Sequence, residues 1–212
     1  PSGSACGKVT KSHPEFSVKN SRYPDLLNKK ATEYFIEITH EKYASAIGED
    51  FKNYVTAVFT DEPKAPFATS NKELLDRYEE MYGESILPYI PLIEGEEAPT
   101  EENAHILRQW YDLCSRAFCE NFLLPCKKWA NEKGVAFTGH LDVDHSPDGC
   151  MNGGYNYNLM RALRCFDIPG VDFIWRQIYP ENRVTNKDDL NAYNGFFPRY
   201  ASSAAAQNGT RL

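Results

Sequence analysis

From Asn28 the apolar positions Ala31, Tyr34, Phe35 and Ile38 recur at helical spacing, with Asn28 placed to cap the first turn and Gly48 to stop the last. This predicts an amphipathic helix of about five turns. A strand is expected from about Tyr54 to Thr60, ending in the run Val58-Phe59-Thr60-Asp61-Glu62-Pro63. The proline has no N–H to continue a central strand, so the chain should leave the sheet just after Glu62. The stretch from Lys64 to Pro99 is polar and proline-rich, with one short helix near Lys72 to Met81, and reads as a long insertion at the strand's carboxyl end. Thr100 then caps a second long helix, with acids in its first turn, that carries Trp110, Leu113, Ala117, Phe118, Phe122 and Trp129 as far as Lys133-Gly134. Pro125 should kink or divide it.

The near-continuous apolar run Val135 to Leu141 predicts a second strand, buried on both faces. A helix is expected from about Tyr155 to Phe166. A third strand should cover Val171 to Trp175 after a Pro169-Gly170 turn, and the alanine-rich stretch Arg199 to Gln207 should open one more helix. Alternating helices and strands imply parallel pairing, hence an α/β fold. Three strands are too few for a complete eight-stranded barrel, which typically needs about 250 residues. The expectation is therefore a partial (β/α)8 (TIM-type) barrel with a long insertion, 64–99, after the first strand. With no repeat and no evident linker, residues 1–212 read as one domain, and the opening Pro1-Ser2-Gly3-Ser4-Ala5-Cys6-Gly7 as a loop already in progress in a larger protein.

Composition narrows the partners. A chain of 212 residues with 42% hydrophobic content can bury a sizeable core, and its mean hydropathy of −0.56 argues against a membrane protein. A net charge of −7, with Lys and Arg scattered and not striped, argues against nucleic acid. The six cysteines (Cys6, Cys114, Cys119, Cys126, Cys150, Cys165) form no C-x-x-C pair, and they read as free buried thiols of a reducing, cytoplasmic compartment. The Asn208-Gly209-Thr210 tripeptide matches a glycosylation acceptor, a pattern too common to carry weight.

Chemistry concentrates where the expected strands end. Strand alternation sends Asp61 and Glu62 to opposite sides, so one acid faces a pocket while the other props the backbone. The second strand runs into Gly139-His140-Leu141-Asp142-Val143-Asp144-His145, where alternation puts His140, Asp142 and Asp144 on one face. That cluster suits sugar hydroxyls, a zinc or manganese ion held with His145, or a histidine that merely tethers loops. The third strand leads into Trp175, Arg176 and Gln177, a flat ring beside planar donors that fits carbohydrate. The same set also suits a barrel-sealing Trp with an ion-paired Arg. Phe67, Tyr82 and Tyr89 of the insertion are candidates to line a sugar site or to pack the loop. Ser202 and Ser203 lack a G-x-S-x-G elbow, which argues against a serine nucleophile.

Five blocks carry a resemblance: Pro1-Ser2-Gly3-Ser4-Ala5, Phe59-Thr60-Asp61-Glu62-Pro63, Phe137-Thr138-Gly139-His140, Ile168-Pro169-Gly170-Val171-Asp172 and Pro198-Arg199-Tyr200-Ala201-Ser202-Ser203. In their order and spacing they resemble the central segment of large bacterial glycoside hydrolases that join a (β/α)8 barrel to a family 2-like sugar-binding domain, relatives of the family 106 α-L-rhamnosidases. The resemblance implies hydrolysis of O-glycosidic bonds, with α-L-rhamnosides among the expected substrates and polysaccharide degradation as the setting. It implies that Glu62 is the general acid, that His140 and Arg176 contact substrate, and that the partner carboxylate lies past Leu212, in the remainder of the barrel. Asp61, Asp142, Trp175, Gln177 and Arg199 complete the expected substrate-binding set. No cofactor is expected. Two competing readings remain: a carbohydrate-binding barrel segment without turnover, and a metal-dependent hydrolase using His140, Asp142, Asp144 and His145.

Overall fold

The computed structural model describes residue 15 and residues 23–66, 68–145, 155–173 and 197–210. These form a mixed helix-and-sheet fold with a three-stranded parallel sheet in the order β1-β2-β3, where β1 is Ala57–Asp61, β2 is Ala136–His140 and β3 is Ile168–Pro169. Two compact units divide the chain: residues 1–49 with 65–126, and residues 50–64 with 127–212.

The first unit is helical. Asn28 caps its opening helix, Lys29–Phe35, by accepting from the Lys30 and Ala31 amides. The helix widens into a π-turn, Ile36–His40, continues as Glu41–Ile47, and stops at Gly48, whose φ of +75° suits glycine. The stretch after Ala65, expected as an insertion on the barrel rim, folds within this unit. Asn71 caps the helix Lys72–Tyr82 through the Leu74 amide and also donates to Asp25, which accepts from Leu27 as well. Burial is the largest influence on Asp25 and leaves its carboxyl above the usual range despite those donors.

Helix Ala104–Phe118 supplies the core of this unit, with Ile106, Trp110, Leu113 and Phe118 fully buried. The disruption expected at Pro125 takes the form of a π-turn at Cys119–Leu123, directly before the helix Leu124–Glu132 that contains the proline. Proline offers no amide to the carbonyl four residues back, and the widened turn accommodates the missing bond. Tyr82 packs on the buried Tyr78, ring centroids 4.7 Å apart, which is a packing role; Phe67 lies outside the described residues. Cys114, Cys119, Cys126 and Cys165 are buried thiols, and burial pushes that of Cys126 up to about 12. No helix among the described residues is long and apolar enough to cross a membrane.

The second unit holds the sheet. Residues Phe51–Tyr54 form a helical turn with Phe51 packed edge-on to Trp129, so β1 starts at Ala57, later than the expected Tyr54, and runs through Asp61. β2 lies between the other strands, in register Asp61↔His140 with β1 and Gly139↔Pro169 with β3. A Cβ on Gly139 would sit 2.2 Å from the Thr60 carbonyl oxygen, and one on Gly170 would sit 2.8 Å from that of Gly139. Glycine at both places is what allows the strands to approach.

The third strand is displaced from its expected position. Pro169 does not turn the chain but lies in β3, at the edge of the sheet among the described residues, and the Gly139 carbonyl opposite it accepts from the Gly170 amide instead. Residues 171–173 are not a strand, because the Asp172 amide is taken by the Asp144 carboxylate at 2.8 Å. The helix expected from Tyr155 is shorter, Leu159–Leu163 with Asn158 as its cap, since Tyr155 and Tyr157 take φ of +49° and +62°, incompatible with a right-handed helix. The last helix, Pro198–Asn208, falls where the alanine-rich stretch placed it.

Candidate active site

Parallel registry sets the chemistry. Because Asp61 and His140 are ladder partners at the carboxyl ends of β1 and β2, their side chains share one face, and His140 Nε2 lies 2.9 Å from Asp61 Oδ1. The expectation that Asp61 and Glu62 diverge is overturned one residue later. Glu62 has a φ of +44°, a left-handed backbone outside the strand, so period-two alternation ends at Asp61. The turn brings Glu62 to the same histidine: Glu62, His140 and Asp172 each offer a ligand atom within 4.8 Å of the others.

His140 is the buried centre of this group, only 9% exposed. Nε2 faces Asp61, while Nδ1 is buried with no hydrogen-bond partner among the described residues. Asp144 Oδ2 stands 3.8 Å from it. Burial is the main reason the Asp144 carboxyl is pushed up to about 6, against the lowering pull of the Asp172 amide and of His140 and His145. Asp144 lies beside the histidine and accepts from the backbone amide of Asp172 at 2.8 Å.

The expected common face of His140, Asp142 and Asp144 forms only in part, since Asp144 lies beside His140 and Asp142 does not join them. β2 ends at His140, Val143 takes a φ of +55°, and Asp142 turns away to pair with Lys64. Among the described residues no lysine or arginine pairs with Asp61, Glu62 or Asp172, so three carboxylates converge on one imidazole. His145 packs edge-on to Phe197, and Arg199 is exposed on the first turn of Pro198–Asn208. Trp175, Arg176 and Gln177 lie outside the described residues.

Two residues escaped the sequence reading of the site. Asp172 was noted only as part of a block, and nothing local marks its approach to His140, 3.9 Å from Nε2. Phe59 lies 5.7 Å from the His140 ring and is 60% exposed, an aromatic surface beside the carboxylates. Its position two residues before Asp61 places it on the same strand face, and that was the available signal.

As a chemical assembly the site offers carboxylates to give and take protons, an imidazole to order them, and an apolar ring at its edge. Its Glu62, His140 and Asp172 are also a suitable donor set for a divalent cation. Comparison with family models, curated proteins and solved structures gives no significant match.

Proposed function

We propose that this chain is part of a glycoside hydrolase (β/α)8 barrel that cleaves O-glycosidic bonds, with Glu62 as the general acid. The observation that carries the reading is the turn at Glu62. A non-glycine residue is held at positive φ at the carboxyl end of a parallel strand, and that conformation delivers its carboxylate to His140 and Asp172. Strained backbone of this kind costs about 1–3 kcal/mol and persists where the surroundings fix it.

The resemblance to family 106 relatives supports the same assignment, since its Phe59-to-Pro63 block ends β1 and its Phe137-to-His140 block ends β2. Three strands paired in chain order suit a stretch of such a barrel. In the proposed reaction Glu62 protonates the departing oxygen, while Asp61 and His140 order the sugar's hydroxyls and Phe59 bounds its apolar face. Trp175, Arg176, Gln177 and Arg199 remain proposed contacts from sequence; Asp142, paired with Lys64, acts by holding the chain that leaves Glu62.

The full-length parent is expected to hydrolyse aryl glycosides, rhamnosides included, with residues 1–212 alone inactive, and Glu62→Gln in the parent to lower that rate roughly 10²–10⁴-fold. Equal rates would remove Glu62 from the role.

A second reading, a metal-dependent hydrolase, is favoured by one observation, the Glu62–His140–Asp172 donor set, which differs from the four residues expected from sequence. The glycosidase reading predicts full turnover after dialysis against a chelator, with no metal detected by elemental analysis. Loss of activity on chelation and its return with zinc or manganese would favour the second reading.

A further inference from the structure

Two consecutive residues on the chain leaving β2 hold two consecutive residues on the chain leaving β3. Asp144 Oδ2 accepts from the Asp172 amide at 2.8 Å. His145 packs edge-on to Phe197, ring centroids 6.5 Å apart, and Phe173 stacks on the same ring at 5.5 Å. Phe197 is itself fully buried, so both partners rest on a fixed surface. The Asp144 oxygen also stands 3.8 Å from His140 Nδ1, an atom buried without a hydrogen-bond partner among the described residues. Resting on the glycosidase reading, we infer that Asp144 is a positioning residue: it sets the places of His140 and Asp172 in the glycone site without itself meeting the sugar.

Burial decides which kind of role this carboxylate can have. Asp144 is 2% exposed, out of reach of a substrate, whereas the Asp172 side chain is 31% exposed. Asp172 Oδ2 lies 3.9 Å from His140 Nε2, so the two residues that Asp144 borders also border one another. A carboxylate at that depth costs desolvation, and the bond to the Asp172 amide offsets part of the cost. An apolar side chain would fill the space equally well and leave the amide unpaired. Residues 171–173 are not a strand, so the Asp144 bond and the Phe173 stack hold this segment in place of ladder bonds. Misplacing a sugar-binding group by about 1 Å costs up to about 10²-fold in rate, which is the scale on which such a holder acts.

The test uses the full-length parent. Asp144→Asn keeps an oxygen for the Asp172 amide and should stay within about threefold of the parent in kcat/KM. Asp144→Leu, of similar size but without an acceptor, should raise KM about 10–100-fold with a smaller fall in kcat. Asp144 acts on the glycone and not on the leaving oxygen, so the loss should be equal for dinitrophenyl and phenyl glycosides, unlike that of Glu62→Gln. Partial unfolding of the sample would lower kcat and leave KM unchanged, so the rise in KM separates positioning from stability. Hydrogen exchange of the peptide containing Asp172 should quicken in Asp144→Leu and not in Asp144→Asn. Phe173→Ala, at a 57% exposed position, loses the stack on Phe197 and should raise KM in the same direction; it carries the test if Asp144→Leu does not fold. Equal KM in the Leu and Asn variants, or an unchanged KM in Phe173→Ala, overturns the positioning role, while a leaving-group-dependent loss in Glu62→Gln keeps the glycosidase reading. No turnover of any glycoside by the parent overturns both.

Discussion

Asp167 shows how one carboxylate can hold the sheet beneath the site. Burial alone would raise its pKa, but donation from the Phe137 amide, Asn131 and Lys127 outweighs burial and holds it below the usual range. Because its folded pKa is depressed, its contribution to stability is fully present above the unfolded value near 3.8 and disappears as pH falls through the folded value. Asp167→Asn should therefore lower thermal stability at neutral pH and flatten the acid limb of a melting-temperature profile below about pH 4. A variant that loses stability as steeply as the parent on acidification would contradict this. At this scale the sequence was informative about identity and less so about direction: Asp61, Glu62 and His140 were all legible as site residues, yet the alternation rule set Asp61 and Glu62 on opposite sides, whereas both reach His140. The rule holds only while the backbone stays extended, and a φ of +44° ends it.

Among the elements, β2 carries the greatest constraint. Gly139 has a φ of +153°, and any Cβ there would meet the Thr60 carbonyl oxygen at 2.2 Å. Gly139→Ala should destabilise the protein by about 2–4 kcal/mol in denaturant unfolding and reduce turnover by disturbing the Asp61↔His140 register. An alanine variant as stable as the parent would show that the strands do not pack this closely. The helix opened by Asn28 and closed at Gly48 and the strand at 135–141 were readable because their signals are local, whereas the helix expected to be capped by Thr100 starts at Ala104, after Asn103. β3 was misplaced because a proline reads locally as a turn, whereas a sheet edge tolerates it; that tolerance depends on strand order, a long-range fact.

For the molecule as a whole, the functional reading depends on pairings between residues distant in sequence. Asp61 meets His140 through the β1–β2 ladder, and Asp172 arrives after β3 with its amide bound to Asp144. No residue pattern within one segment encodes those meetings, so the sequence could name Glu62 as an acid, while the approach of Asp172 to it shows only in the structure. The central claim, that Glu62 protonates a departing sugar oxygen, is tested most directly by a leaving-group series. Aryl glycosides with phenols of rising pKa should be cleaved by the parent at similar rates, because the acid neutralises each leaving oxygen. Glu62→Gln should slow progressively along the series, retaining most activity on dinitrophenyl substrates and losing roughly 10³-fold on phenyl ones. The same shallow dependence in parent and variant would contradict the assignment.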